Sequence, residues 1–283
     1  MSDAPKAGSG GSLLATELGQ RLVSGAALAA IAVAVLWLGH WPFGLLVALV
    51  AGVAAWEWGR IIRGVNFDAY FPLHAGIVVL STLASAAGYA VPASIALAVG
   101  AIVMVILRLG ARDMLTGLGV LAIGFPAVGL AHLRAAPSLG FEAVLFLFAV
   151  VWMTDIGGYV FGRSIGGPKL WPRVSPGKTW AGAAGGLLLA GLTGGLAGSL
   201  LANGDMIGGV MVAVMLGLAA EIGDLAESAL KRRFGRKDAS ALIPGHGGVL
   251  DRIDGLLAAA LVAMVFAMLR DPMHPAAGLL LWP

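Results

Sequence analysis

Nine apolar stretches run along this chain of 283 residues, and each is long enough to cross a bilayer as a helix. A hydrocarbon core of about 30 Å needs roughly 20 apolar helical residues. The composition agrees, because 59% of the residues are hydrophobic, 12% are charged and the mean hydropathy is +0.92. Soluble domains are about a quarter charged, so the sequence predicts an all-α, polytopic integral membrane protein. The predicted spans are 22–39, 42–59, 72–89, 92–108, 115–133, 141–162, 180–201, 206–230 and 249–269.

The stretches between these spans predict no second folded domain. Residues 1–20 are rich in Gly and Ser, which predicts a flexible cytoplasmic tail, and residues 21–283 form a single helical membrane domain. A cleaved signal peptide is the alternative for the first stretch, but that stretch contains Trp37 and lacks a clear small-residue cleavage site. The chain has no cysteine, which excludes disulfides and cysteine-based zinc or redox sites.

Basic residues predict the orientation. With the N-terminus inside, 16 of the 18 Lys and Arg residues fall at the inner face, and only Arg134 and Arg270 fall outside. This bias predicts nine spans with the N-terminus cytoplasmic and the C-terminus outside. It also accounts for the net charge of +3 without a nucleic-acid partner. The Ala- and Gly-rich composition is compatible with a bacterial inner membrane, and small-residue helix faces permit a homodimer.

Two inner loops carry more charge than topology requires. Residues 163–179 and 231–248 together hold nine of the 18 basic residues, with several Gly and Pro. Attraction to anionic lipid headgroups is one explanation. The string PGKT at 176–179 is not a phosphate-binding P-loop, because Pro172 stands where that motif needs Gly.

Acidic residues inside the apolar stretches favour a catalytic explanation. Asp155 lies in the sixth stretch, Glu221, Asp224 and Glu227 lie in the eighth, and Asp251 and Asp254 begin the ninth. Each is costly there unless it faces protein, water or a metal. Helical spacing puts Asp224 and Ser228 on one face with Lys231 continuing it, and puts Asp251 and Asp254 one turn apart. Carboxylates without His or Cys suit Mg²⁺, and Lys and Arg suit phosphate. The sequence therefore predicts a metal-phosphate site at the inner surface, with ion pairs to Lys231 or Arg252 as the alternative.

The segment from Ser228 to Asp254, SALKRRFGRKDASALIPGHGGVLDRID, closely resembles the signature of the CDP-diacylglycerol synthase (phosphatidate cytidylyltransferase) family. That pattern is S-x-x-K-R, four residues, K-D, then P-G-H-G-G and D-R-x-D, and every position is matched. Residues 154–182 resemble the family's second conserved region. Gly177 and Ala181 depart from it, since the family often has Lys and Glu there, so no role of those side chains is transferred.

The resemblance implies that CTP and phosphatidate give CDP-diacylglycerol and pyrophosphate, with Mg²⁺ required. Whether a monovalent cation accompanies Mg²⁺ is left open. Metal-assisted in-line attack needs no protein base, because the lipid phosphate is already largely ionised at pH 7. The active site is expected in loops 163–179 and 231–254. We assign Asp224, Asp251 and Asp254 to the metal and Lys231, Arg232, His246 and Arg252 to catalysis. Substrate contacts are assigned to Ser228, Lys237, Asp238, Gly247, Gly248, Ser175, Lys178, Thr179 and Asp155.

Two other functions compete with this interpretation. A CTP-dependent lipid kinase would share the membrane, the metal and the nucleotide, but would transfer the γ-phosphate to an alcohol. A secondary transporter would use buried carboxylates as a cation relay. A transporter has no need of the dense basic loops at one face, and two related halves are not visible in the sequence.

Overall fold

A computed structural model describes residues 25–108, 114–201, 205–243 and 247–282. Helices dominate this part of the chain. In chain order the elements are α1 Gly25–Trp37, α2 His40–Arg63, α3 Phe71–Ala86, α4 Ala90–Leu107, α5 Met114–Ala135, α6 Gly140–Ser164, β1 Lys169–Trp171, β2 Ser175–Thr179, α7 Trp180–Leu201, α8 Met206–Arg233, α9 Leu250–Arg270 and α10 Pro275–Leu280.

Helices α1 to α9 lie where the nine apolar stretches are. Among the described residues, seven of them are long and apolar enough to cross a membrane, whereas α1 and α3 are shorter apolar helices. The prediction of a polytopic helical membrane protein is therefore confirmed. The count of nine spans stays a prediction, and the expected tail at 1–20 lies outside the described residues.

The helices form two groups that meet along α9. Helices α2 to α5 pack on one another around one apolar core, and α6 to α9 pack in sequence around a second. Helix α9 contacts α8 and also α5 and α2. The Val249 and Leu250 N–H groups at its start donate to Glu57 on α2, so its first turn lies where the two groups join.

Close helix packing depends on glycine. Helices α7 and α8 cross where Gly194 faces Gly209, and a Cβ atom added to either would lie 2.1 Å from the other's carbonyl oxygen. Only residues without a side chain permit this approach. It holds α8, which carries the acidic residues, directly against α7.

Two elements were not predicted. Strands β1 and β2 form an antiparallel hairpin inside the expected loop 163–179, with Lys169 paired to Thr179. Pro172 follows Trp171 in a tight turn, in which the Val174 N–H donates to the Trp171 carbonyl at 3.1 Å. Strands of three and five residues are too short for a pattern of alternating hydrophobicity to indicate them, so the sequence predicted only a loop here.

The second unpredicted element is α10, which folds back after α9. It packs against α5, α6 and α9. The Arg270 guanidinium donates to the Gly278 carbonyl, and the Arg134 guanidinium donates to the Leu36 carbonyl at 2.9 Å. The two basic residues expected outside therefore both lie at the end of the bundle where α5 ends and α6 begins.

Candidate active site

A cavity of about 460 Å³ opens at the opposite end of the bundle, within the usual size range of a small-molecule site. The C-terminal half of α6, strand β2, the start of α7 and the middle of α8 form its walls. Its polar lining comprises Thr154, Asp155, Tyr159, Arg163, Lys178, Thr179, Glu221 and Asp224. Residues of the predicted region 163–179 thus line the cavity together with α8, whereas none of the described residues of the predicted region 231–254 is part of its lining.

Two details of local structure shape the wall between α6 and α7. A Cβ atom at Gly182 would lie 2.7 Å from the Gly158 carbonyl oxygen, so the two backbones approach this closely only because Gly182 has no side chain. Thr179 is buried, and its hydroxyl accepts the Gly182 N–H at 3.0 Å. Thr179 thereby caps the N-terminus of α7 and links it to β2.

A pair of opposite charges spans the cavity. Lys178 Nζ on β2 lies 2.8 Å from Asp224 Oδ2 on α8. The Ser228 hydroxyl, one turn further along α8, donates to Asp224 Oδ1 at 3.3 Å. Three of the predicted residues are therefore connected, although Lys178 is distant from the other two in sequence.

Further carboxylates surround the Lys178–Asp224 pair, and Lys178 alone does not balance their charge. Asp155 on α6 and Glu221 on α8 both lie within electrostatic range of Lys178 and Asp224. Asp254 on α9 lies within the same range of Asp224 and Asp155. Arg252 approaches Asp155 from the start of α9. The result is an acidic, oxygen-rich site with the cations of Lys178, Arg163 and Arg252 beside it.

The start of α9 forms a second cluster. Lys231, at the end of α8, is 8% exposed and forms ion pairs with Glu227 and Asp251. The other oxygen of Asp251 accepts the N–H groups of Ala239 at 2.9 Å and Gly248 at 2.7 Å. Asp251 therefore forms the ion pair with Lys231 that was the alternative to metal binding. Its role as a metal ligand stays a prediction.

The glycines of the signature shape the return of the chain into α9. Gly247 has a φ of +82°, which favours glycine, and its carbonyl accepts the Ile243 N–H at 2.9 Å. A Cβ atom at Gly247 would also lie 2.8 Å from Asp251 Oδ2. His246, which was assigned to catalysis, lies outside the described residues.

Of the predicted residues that the structure describes, only Asp155, Lys178, Thr179 and Asp224 line the cavity, and four of the others take part in none of the ion pairs described above. Arg232 is exposed, and its guanidinium donates to the Arg236 carbonyl at 3.0 Å. Lys237 and Asp238 are exposed on the segment after α8. Ser175 pairs with Trp171 at the turn end of the hairpin. Their predicted contacts with substrate remain predictions.

Sequence reasoning missed Glu57 on α2. Its side chain has no exposed surface, and it accepts the N–H groups of Val249 and Leu250 at the start of α9. The sequence did contain a signal for this residue, because Glu57 is the only acidic residue in the 24-residue apolar helix α2. A carboxylate there needs a partner as much as Asp155 does.

The donor set suits a hard cation. Within the residues that the structure describes, no three His, Asp or Glu side chains are arranged to hold an ion by themselves. Mg²⁺ usually keeps several waters and is held by one or two carboxylates together with substrate phosphates. Asp224 and Asp254 are two carboxylates on neighbouring helices within electrostatic range of each other, so these residues fit the predicted Mg²⁺.

Comparison with known proteins identifies the family. The model that describes the cytidylyltransferase family matches residues 19–269, and the chain belongs to that family. A phosphatidate cytidylyltransferase of Brucella suis biovar 1 (strain 1330) is 44% identical over 160 residues, which cover 56% of this chain and 59% of that protein. One of Staphylococcus saprophyticus subsp. saprophyticus is 39% identical over 139 residues, which cover 49% of this chain and 54% of that protein. The matched part thus spans just over half the length of these curated relatives.

Proposed function

We propose that this protein is a phosphatidate cytidylyltransferase, which joins the cytidylyl group of CTP to the phosphate of phosphatidate and releases pyrophosphate. The observation that carries the proposal is the cavity, in which Lys178 and Asp224 meet beside Asp155 and Glu221 in a chain of the cytidylyltransferase family. The names of the relatives from Brucella and Staphylococcus support the same substrates.

The nucleophile needs little help from the protein. The phosphate monoester of phosphatidate has a second pKa of about 6, so its oxygen is already a competent nucleophile at pH 7. The main barrier is repulsion between two anions. Catalysis by this chain therefore consists of positioning and charge neutralisation, with direct attack on the α-phosphorus and no covalent enzyme intermediate.

Asp224 and Asp254 are the side chains that we assign to Mg²⁺, and Asp251 is retained as a further candidate. When bound, Mg²⁺ would neutralise charge shared between the triphosphate and the lipid phosphate. A monovalent cation beside it is compatible with the remaining carboxylates, Asp155 and Glu221. The pairing of Lys178 with Asp224 is compatible with this assignment, because it places a cation 2.8 Å from the carboxylate.

Basic residues of the chain would hold phosphate oxygens. Lys178 lines the cavity and would exchange its bond to Asp224 for one to the triphosphate. Arg252, at the start of α9 and within electrostatic range of Asp155, would neutralise the departing pyrophosphate. Lys231 is buried between two carboxylates, so we assign it to holding Asp251 in place. Contacts of Arg232, Ser228, Lys237, Asp238, Gly247, Gly248, Ser175, Thr179 and His246 with the substrates belong to the same proposal.

The membrane arrangement is part of the proposal. Nine spans would place the N-terminus, the tail at 1–20 and the cavity on the cytoplasmic side of a bacterial inner membrane, and the C-terminus outside. The positions of Arg134 and Arg270 at the end of the bundle away from the cavity support this orientation. Residues 21–283 would act as one membrane domain, and a homodimer is compatible with its glycine-rich helices.

The reaction is tested with purified protein in detergent, phosphatidate, Mg²⁺ and CTP labelled in either its α- or its γ-phosphate. The proposal predicts that the α-label enters the lipid fraction and that the γ-label leaves in pyrophosphate. Transfer of the γ-label to an added polyprenol would establish a lipid kinase instead. Absence of turnover by folded protein would favour the transporter.

Variants connect the activity to the site. Asp224→Asn and Asp254→Asn should each abolish labelling of the lipid. Asp205→Asn is the matched control, because Asp205 caps the N-terminus of α8 far from the cavity and Asn is an equally good cap. Equal activity in all three variants would contradict the assignment of the carboxylates.

A further inference from the structure

Glu57 is a buried carboxylate outside the cavity. It lies on α2, in the helix group that does not line the cavity, and its side chain is 0% exposed. Taking a carboxylate out of water is costly unless hydrogen bonds replace the lost hydration. The identity of its partners therefore indicates why the residue is there.

All of its described partners belong to the segment that leads into α9. Oε1 accepts the Val249 N–H at 2.9 Å and the Ser240 hydroxyl, and Oε2 accepts the Leu250 N–H at 2.6 Å. Val249 and Leu250 are the N-cap and first residue of α9. Glu57 thus supplies, from a different helix, both the acceptor and the negative charge that a helix N-terminus favours.

The same segment is held from two sides. Asp251 binds the Ala239 and Gly248 N–H groups from within, and Glu57 binds from α2. A Cβ atom at Gly248 would lie 2.4 Å from Glu57 Oε1, so this approach requires glycine. One turn beyond Glu57, the Arg60 guanidinium donates to the Ala239 carbonyl at 3.0 Å. Helix α2 therefore binds both donors and acceptors within residues 239–243 and 247–250.

We infer that Glu57 is a positioning residue of the active site, which fixes the start of α9 so that Asp251 and Asp254 are in place before substrate binds. It acts through its contacts with Ser240, Val249 and Leu250 and not by touching substrate. The inference rests on the proposed function only for its effect on turnover, because the anchoring itself can be measured without any reaction.

Anchoring is measured with a nitroxide spin label on Ala241→Cys. Ala241 is exposed next to Ser240, and the native chain has no cysteine, so the label attaches at one place. Glu57→Gln keeps the size of the side chain, but its amide nitrogen cannot accept a backbone N–H. We expect greater mobility of the label in Glu57→Gln and a smaller increase in Ser240→Ala. A label on Met273→Cys, which is 82% exposed beyond α9, should not change.

Turnover provides the second readout. Misplacement of reacting groups by about 1 Å costs roughly 100-fold in rate, so kcat should fall by about 10- to 100-fold in Glu57→Gln. The KM for CTP should change less than kcat, because the walls of the cavity are formed by α6, β2, α7 and α8. Glu142→Gln, at the other end of α6, is the matched control and should behave like the native protein.

Several outcomes would overturn the inference. Native mobility at Ala241→Cys in Glu57→Gln would show that the segment needs no anchor. A fall in kcat without a change in mobility would place the effect elsewhere. Increased mobility at both label positions in Glu57→Gln would show general unfolding instead of local release. If Glu57→Gln does not fold, the Ser240→Ala variant decides, and native mobility of its label at Ala241→Cys would overturn the inference. Absence of turnover in the native protein would refute the proposed function, while the labels would still decide whether Glu57 anchors α9.

Discussion

Replacing Asp251 by asparagine separates the two roles that this residue could have. One carboxylate oxygen pairs with Lys231, and the other accepts the Ala239 and Gly248 N–H groups at 2.9 and 2.7 Å. Asparagine has the same shape but only one acceptor oxygen. In either orientation of the amide, the ammonium of Lys231 or the two backbone N–H groups lose their acceptor.

The size of the effect follows from the burial of the pair. The side chains of Lys231 and Asp251 are only 9% and 7% exposed, so solvent does little to replace the lost bonds. Breaking a buried pair by removing one partner costs about 3–5 kcal/mol. If about 3 kcal/mol of this cost is added to the activation free energy, because the site is distorted, turnover falls by roughly 100-fold.

The assay is turnover of CTP and phosphatidate by purified variants in detergent, at increasing Mg²⁺. If Asp251 organises the loop, excess Mg²⁺ does not restore the rate of Asp251→Asn. Lys231→Met should then add little to the loss in the double variant, because both changes break the same pair. Asp205→Asn is again the neutral control. Native turnover in Asp251→Asn, strictly additive losses, or full recovery at high Mg²⁺ would refute the reasoning.

Three further predictions concern the cavity. Lys178→Ala should raise the KM for CTP by about 10- to 100-fold, since one hydrogen bond to a charged group contributes about 1.5–3 kcal/mol; an unchanged KM would exclude Lys178 from the triphosphate site. Gly182→Ala puts a methyl group 2.7 Å from a carbonyl oxygen of α6 and should lower thermal stability by about 1–3 kcal/mol as well as activity, whereas Gly76→Ala, with open space around it, should not destabilise the protein. Chelation by EDTA should stop turnover and added Mg²⁺ should restore it, and turnover that persists in EDTA would contradict a metal-dependent reaction.

Much of the helical architecture was predictable because it depends on local chemistry. Apolar stretches of about 20 residues have few alternatives to membrane helices, and the predicted and observed helices coincide to within a few residues. The spacing of Asp224, Ser228 and Lys231 on α8 also follows from helix geometry, and the structure shows Ser228 bonded to Asp224. These features depend on residues within a few turns of one another.

Contacts between distant residues could not be predicted in this way. Lys178 meets Asp224 because strand β2 lies against α8, and a contact between elements so far apart in the chain leaves no local pattern in the sequence. Glu57 meets Val249 across 192 residues of sequence. No periodicity within α2 indicates which helix its carboxylate faces. The isolated charge could have indicated that a buried partner exists, but not that the partner is the N-terminus of α9.

Exchange of labelled pyrophosphate into CTP tests direct transfer between the two substrates, which is the central claim. The protein is incubated with CTP, labelled pyrophosphate and Mg²⁺, with or without CDP-diacylglycerol. We predict that label enters CTP only when CDP-diacylglycerol is present, because pyrophosphate must attack the cytidylyl group on the lipid. Label entering CTP without lipid would reveal a cytidylyl-enzyme intermediate, and folded protein that incorporates no label under either condition would contradict cytidylyl transfer itself.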